Sequence, residues 1–301
     1  MLISLPKTSK EFDMSERQPV TVIGLGPMGK AMVREFLKAK NPVTVWNRTE
    51  SKTDELADEG AIKAESLAAA IDANDLIVVS LTHYDAVAQV LEPVADHLSG
   101  KVIANLTSGS PEETRKSAEW VQQQGGQQLT GGPITGADDL TYEMNYVFYS
   151  GPRELFDQHR DTLAVLSRPE YIGPNPETAN LFYQSILTIF HPTLLAFEQA
   201  RATVERHGVD PELIVPYLQE FTKTLPDFMA FTNLMAQSGG WGDVDSLRMM
   251  RAGAQHVIDT SRAVGVDTAI TDVVSDFYQK SLDATEKKGE PVPTYQVIRG
   301  F

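Results

Sequence analysis

The sequence predicts an α/β domain followed by an all-α C-terminal domain, with a long interdomain helix joining them. Three observations predict it. Across 20–173, apolar strand-like runs alternate with stretches of helical spacing, as repeated βα units of a doubly wound parallel sheet should. At Asn175 the pattern changes, and 177–206 reads as one continuous helix. Beyond Gly208 every segment carries a 3.6-residue period, with Gly and Asp turns between segments. The expected boundaries are a polar, mobile tail over 1–18, the α/β domain over 19–174, the joining helix over 175–207 and the helical domain over 208–301.

The first strand, Val20-Thr21-Val22-Ile23, runs into Gly24-Leu25-Gly26-Pro27-Met28-Gly29. A helical pattern follows through Ala31, Val33, Phe36 and Leu37. Strand, Gly-x-Gly-x-x-Gly and helix together are the fingerprint of a Rossmann dinucleotide site. Gly24 permits the tight turn, Gly26 lets a pyrophosphate approach the backbone, and Gly29 lets helix and strand pack closely. The helix N-terminus then offers N–H groups and the positive end of its dipole to the phosphates.

The second strand, Val43-Thr44-Val45-Trp46, ends in Asn47-Arg48-Thr49, with Lys52 one helical turn on. An NAD site usually carries Asp or Glu at this point for the ribose hydroxyls. An Arg there can instead grip a 2′-phosphate through charge-assisted bonds, and Thr49 and Lys52 add donors. The expected cofactor is NADPH; the bland alternative is a solvated basic turn.

Further strands are expected at 75–81, 101–106, 127–130, 145–149 and 171–172, with a helix over 86–98. Another helix opens at Pro111, with Ser110 as its N-cap. Ligands of such sheets lie beyond the carboxyl ends of the strands. Three segments should converge there. They are Ser80-Leu81-Thr82-His83-Tyr84, Asn105-Leu106-Thr107-Ser108-Gly109 and Gly131-Gly132-Pro133-Ile134-Thr135-Gly136. Leu81, Thr82, Asn105, Thr107 and Ser108 are the cofactor-side candidates, and Ile134 and Thr135 the substrate-side ones. Any one of these segments alone reads as ordinary turn chemistry.

The helix over 177–206 is apolar on almost every face, and Pro192 should kink it near Thr188. A helix apolar all round is buried, and this one is too long for a small domain to cover alone. A second copy of the chain is the natural cover, giving a domain-swapped homodimer whose site lies between one α/β domain and the partner's helical domain. Further helices are expected over 211–237, 244–264 and 268–286.

The 301 residues include no cysteine, so neither disulfides nor a thiolate nucleophile enter the reading. The net charge is −15, with 41 acidic against 26 basic residues, which argues against nucleic-acid binding. No run of 18 apolar residues suggests a membrane span, residues 1–17 lack a signal-peptide apolar core, and no residue cluster has metal-ligand spacing. A cytoplasmic protein is expected.

The layout resembles the β-hydroxyacid dehydrogenase superfamily, and Gly132-Pro133-Ile134-Thr135-Gly136 is similar to its substrate loop. Those enzymes use a Lys followed three residues later by Asn-Asn; the matching positions here are Asn180 and Tyr183-Gln184. With that cation absent, the imine reductases and reductive aminases are the closer resemblance. It rests on the Gly24 loop, Val45-Trp46-Asn47-Arg48-Thr49, Asn105-Leu106-Thr107-Ser108-Gly109, 179–187 and His256-Val257-Ile258-Asp259-Thr260-Ser261-Arg262. Asp138-Asp139-Leu140-Thr141-Tyr142-Glu143 departs from that family's more apolar, proline-containing sequence.

The resemblance implies hydride transfer from NADPH to the carbon of an imine, or of a carbonyl condensed with an amine. It also implies that Tyr183 faces the nicotinamide as proton donor or orienter. A tyrosine hydroxyl has an ordinary pKa near that of an alkylamine, and orientation of the partners can supply about 7–11 kcal/mol at best. The alternative for Tyr183 is a core tyrosine with a satisfied hydroxyl. Phe190 and His191 fall about two turns further on as substrate-side candidates; a lone His on an apolar helix is more simply a core residue. Trp241, in Gly239-Gly240-Trp241-Gly242, reads as a pocket wall or as a loop Trp packed on a neighbour. Two other functions fit the same motifs: a hydroxyacid dehydrogenase that has replaced its Lys, and a dinucleotide-binding sensor without turnover.

Overall fold

A computed structural model describes residues 17–237 and 244–300 of the chain. Most of the expected tail and Trp241 lie outside the described residues. The chain divides into two compact units, Met1–Ile186 and Leu187–Phe301, and the division falls inside the long helix.

The first unit is an α/β domain. Its strands are β1 (Val20–Ile23), β2 (Val43–Trp46), β3 (Ile62–Lys63), β4 (Leu76–Val79), β5 (Val102–Asn105), β6 (Gln127–Ile134), β7 (Tyr146–Ser150) and β8 (Arg168–Tyr171). They form one sheet in the order β3-β2-β1-β4-β5-β6-β7-β8. The helices are α1 (Pro27–Lys38), α2 (Ser51–Asp58), α3 (Leu67–Ala73), α4 (Tyr84–Leu91), α5 (Pro111–Gln123), α6 (Arg153–Leu163) and the start of α7 (Thr178–Arg206). Strand order reverses between β1 and β4, where open α/β sheets bind ligands.

Both faces of the sheet are covered, and strand residues alternate between the two cores as a period of two requires. Val20, Val22, Leu76, Val78, Val102 and Ala104 pack with Met32, Val33 and Phe36 of α1, Leu56 of α2 and Phe156 and Leu163 of α6. Ile23, Ile77, Val79 and Ile103 pack on the other side with Ile71 of α3, Val87 and Leu91 of α4 and Val121 of α5. Helices on both faces explain why these strands are continuous apolar runs.

Four expectations are corrected. The sheet is not parallel throughout: β6 and β7 are antiparallel, with Gly132 opposite Phe148. The segment read as a loop from Gly131 continues β6 through Ile134, because β7 supplies a ladder that no local pattern announces. The expected helix over 86–98 is α4 followed by a 3-10 turn, Glu92–His97, since Pro93 lacks the N–H that an α-helix would need there. The expected helix over 211–237 is broken into a 3-10 turn, Pro211–Leu213, then α8 (Val215–Thr222) and α9 (Leu225–Gln237). Pro211, Pro216 and Pro226 stand at the starts of these three pieces, where a missing N–H costs least.

The second unit also holds α10 (Val244–Arg262), α11 (Ala269–Lys288) and α12 (Thr294–Arg299). Its part of α7 is stitched to α10 and α11 by polar contacts: Gln199 Nε2 donates to Thr271 Oγ1 at 2.8 Å, and Thr203 and Ser261 hydroxyls meet at 3.0 Å. Helix α7 is assigned as one helix through Pro192. Within the chain it buries only Ala179 and Asn180. Leu181, Phe182, Ile189, Phe190, Leu194 and Leu195 stay between 43% and 52% exposed.

Candidate active site

The glycine loop has the geometry its spacing calls for. Gly24 sits at φ +92°, and a Cβ there would lie 2.3 Å from the Ser80 carbonyl oxygen. A Cβ on Gly29 would lie 1.9 Å from the Gly24 carbonyl oxygen, so α1 could not pack this closely with any other residue. A Cβ on Gly26 would meet nothing within 4 Å. Open space therefore faces the loop where a diphosphate would approach, and no side chain caps the N-terminus of α1. These residues fit a dinucleotide.

The segments at the strand ends are tied to one another. Leu25 N–H donates to Asn47 Oδ1 at 3.0 Å, which joins the β1 and β2 ends. Leu81 N–H donates to Thr107 Oγ1 at 3.2 Å, which joins the β4 and β5 ends. Thr107 N–H donates to Asn105 Oδ1 at 3.1 Å, and both residues are buried. Arg48 and Thr49 are exposed and Lys52 half-buried. Lys63 is held by Glu50 and Asp54, and Arg34 by Glu55 and Glu59. Among the described residues, no side-chain bond or ion pair engages Arg48 or Lys52. The basic end of β2 thus keeps two uncommitted cations.

Tyr183 lies on the second turn of α7, against β6. A Cβ on Gly132 would sit 2.7 Å from the Ala179 carbonyl oxygen and 3.0 Å from Tyr183 Cβ, so Gly132 is what admits the helix. Gln184 Nε2 donates to Ser108 Oγ at 3.1 Å and to the Gly109 carbonyl at 3.2 Å. The structure therefore brings Tyr183, the 105–109 segment and the end of β6 together. Tyr183 is half-buried, and its hydroxyl makes no hydrogen bond to the described residues, unlike a satisfied core tyrosine.

Ile134 ends β6, and Thr135 Oγ1 accepts from Asn145 Nδ2 at 2.8 Å, closing the 135–145 loop on itself. Thr82 is exposed at the β4 end. Pro27 and Met28 open α1. Phe190 and His191 belong to the second unit and are exposed, so the reading of His191 as a core residue is corrected; their rings meet edge-on at 5.4 Å.

Sequence reasoning missed a buried polar cluster behind this site. Asn180 Nδ2 lies 2.7 Å from Thr114 Oγ1, 3.1 Å from the Tyr84 hydroxyl oxygen and 3.5 Å from the Thr107 carbonyl oxygen. Thr114 Oγ1 donates to the Ser110 carbonyl at 3.0 Å and lies 3.2 Å from the Tyr84 hydroxyl. Burial pushes the Tyr84 hydroxyl up to about 12, against the opposing hydrogen bonds from Thr114 and Asn180. The available signal was Asn180 itself, a polar residue beside Ala179, Leu181 and Phe182.

Residues 19–179 match the NAD binding domain of 6-phosphogluconate dehydrogenase. Residues 175–300 match the NADPH-dependent reductive aminase-like C-terminal domain. An imine reductase from Streptomyces aurantiacus is 37% identical, with 94% of this chain and 99% of that one covered and a TM-score of 0.87. The chain belongs to the imine reductase and reductive aminase family. An Aspergillus oryzae NADPH-dependent reductive aminase is 27% identical over 79% of this chain and 83% of its own length. The Aspergillus terreus reductive aminase, solved with NADPH and ethyl levulinate, is 26% identical, covers 94% of this chain and 99% of that one, and superposes with a TM-score of 0.86. This imine reductase family member is thus an NADPH-dependent oxidoreductase with an α/β Rossmann domain, a long helix and an all-α domain.

Proposed function

We propose that the protein reduces C=N bonds, of preformed imines or of imines arising from a carbonyl and an amine, with Tyr183 delivering or orienting the proton at nitrogen. The observation that carries this reading is Tyr183 itself: the residue is half-buried, its hydroxyl has no partner among the described residues, its Cβ lies over Gly132 of β6, and the next residue, Gln184, bonds the 105–109 segment. NADPH, when bound, supplies the hydride. The chain's own residues do the rest. Gly24, Leu25, Gly26, Pro27 and Met28 receive the diphosphate, Arg48, Thr49 and Lys52 hold the 2′-phosphate, and Asn47 is fixed by the Leu25 N–H. Leu81, Thr82, Asn105, Thr107 and Ser108 form the edge on which the nicotinamide half lies. Ile134, Thr135, Phe190, His191 and Trp241 are assigned to the substrate side.

The domain reading follows the same division of labour, with 19–174 for NADP, 175–207 as connector and 208–301 for assembly and substrate. The working unit is a homodimer in the cytoplasm. The half-exposed apolar side chains of α7, and the exposed Tyr217, Phe221, Phe228 and Leu234 of α8 and α9, support the dimer.

The test compares NADPH consumption with a cyclic imine, with a short 3-oxo acid and with neither. Turnover confined to the 3-oxo acid supports the dehydrogenase alternative, and binding without turnover supports a sensor. Tyr183→Phe keeps the ring and deletes the hydroxyl. It should lower turnover on a neutral imine about ten- to a thousandfold, and less on a permanently charged iminium that needs no proton. An unchanged rate on the neutral imine refutes the donor role; equal losses on both substrates leave Tyr183 an orienter only.

A further inference from the structure

Asn180 sits three residues before Tyr183 on α7, and its amide is fully buried. Its polar contacts all leave from Nδ2, and Oδ1 has no partner among the described residues. The contacts of Nδ2 fall on three different elements: Tyr84 at the start of α4, Thr114 in α5 and the backbone carbonyl of Thr107 at the β5 end. Thr107 is itself a junction. Its N–H goes to Asn105, its hydroxyl receives the Leu81 N–H, and its carbonyl faces Asn180. A continuous chain of polar contacts thus runs from the β4 end through the β5 end into the first turn of α7, with the 3.5 Å approach of Asn180 to the Thr107 carbonyl as its loosest link.

The hydroxyl pair behind it is closed. Thr114 has one hydroxyl hydrogen, and Ser110 lies within its reach. When that hydrogen goes to the Ser110 carbonyl, the Tyr84 hydroxyl donates to Thr114 Oγ1, and both oxygens accept from Asn180. With both hydroxyl hydrogens and both Asn180 amide hydrogens committed, this part of the network has little freedom to shift. The Tyr84 ring adds a steric stop: a Cβ on Gly109 would lie 2.4 Å from Tyr84 Cδ2, so the 107–109 segment rests directly on that ring. Gln184, one turn beyond Asn180, bonds the same segment at Ser108 and Gly109.

We infer that Asn180 is a positioning residue: together with Tyr84 and Thr114 it fixes the register between the α7 turn that carries Tyr183 and the β5-end segment that supports the nicotinamide. The inference rests on the C=N reductase reading for its effect on rate. Hydride and proton must reach adjacent atoms of one bond, so the height of Tyr183 above that segment sets the reactive geometry. A displacement of about 1 Å there can cost about a hundredfold in rate without touching affinity.

The experiment uses the full-length protein, with Asn180→Leu and Tyr84→Phe beside wild type. NADPH affinity is read by nicotinamide fluorescence, kcat and KM are measured on a cyclic imine, and backbone amide exchange over 105–109 is followed without cofactor. Asn180→Leu should bind NADPH within about threefold of wild type, keep KM within about threefold and lose about ten- to a hundredfold in kcat. Amides over 105–109 should exchange faster in the same variant. Tyr84→Phe keeps the ring under Gly109 and should shift kcat and exchange in the same direction by less. It carries the test should Asn180→Leu fail to fold. An unchanged kcat with only a lowered melting temperature overturns the inference, as does a loss confined to NADPH affinity. A wild type that binds NADPH but turns over no imine sinks the functional reading instead, a result distinct from active wild type beside an equally active Asn180→Leu.

Discussion

Arg48 is the residue on which cofactor choice turns. Lys63, Lys30 and Arg34 are all engaged by carboxylates of α2 or of the turn before it, while Arg48 has no such partner among the described residues. A charge-assisted bond to a 2′-phosphate is worth about 1.5–3 kcal/mol, so Arg48→Ala should raise the KM for NADPH about ten- to a hundredfold. The KM for NADH should stay within about twofold; equal rises for both would remove the assignment. His159 poses a different question at the same scale. It is fully buried in α6, where Nδ1 meets the Gln18 side chain at 2.9 Å and Thr162 donates to Gln18 Oε1 at 2.8 Å. Burial lowers its pKa below the ordinary value, with Asp75 opposing. A base whose folded pKa is depressed contributes stability above its unfolded pKa of about 6.5 and loses it as pH falls below that point. The melting temperature should therefore drop as pH falls below about 6.5, and His159→Gln should flatten that drop. An identical slope in the variant would refute the assignment. Nothing in Gln-Pro-Val at 18–20 announces this anchor, because the partner is 141 residues away.

Helix α5 is where the sequence was most legible. Ser110, Pro111 and Glu113 spell its start, and the structure has the full capping box, with Ser110 Oγ accepting from Glu113 N–H and Glu113 Oε2 accepting from Ser110 N–H at 2.8 Å. The Ser110 hydroxyl bond, and then its N–H, hold the Glu113 carboxyl below the usual range. Ser110→Ala should cost about 1 kcal/mol in denaturant titration and let Glu113 titrate closer to its ordinary value by NMR; a cost under a few tenths would show the box to be ornamental. Elements with such local signals, α1, β2 and β5 among them, were readable because neighbours in sequence determine them. Residues 131–134 were not, since their strand character comes from β7, whose antiparallel ladder begins twelve residues on. Gly132 was singled out for its motif, but its packing role against Ala179 and Tyr183 depends on a helix nearly fifty residues away. The three-residue cluster at Tyr84, Thr114 and Asn180 was missed for the same reason: Asn180 alone stands out locally, and its partners lie 66 and 96 residues away.

At the scale of the molecule, the apolar periphery of α7 to α9 is the feature that a single chain leaves unresolved. The apolar residues spread around α7 led to the expectation that a second copy covers it, and among the described residues α7 is buried only at Ala179 and Asn180. Sedimentation at micromolar concentration should give about twice the 33.1 kDa chain mass. Leu194→Glu with Leu195→Glu should yield a monomer, since two charges would then be buried unpaired; a wild-type monomer would refute the assembly. The net charge of −15 acts on the same balance, because like-charged chains approach more readily as salt screens them. In the homodimer proposed above, those outward leucines and phenylalanines would also make concentration a hidden variable of the protein. For a dimer, mass action changes the free energy of assembly by about 1.4 kcal/mol for each tenfold dilution. Enzyme stored concentrated and assayed at trace levels would lose activity with time after dilution, at a rate set by subunit dissociation rather than by chemistry.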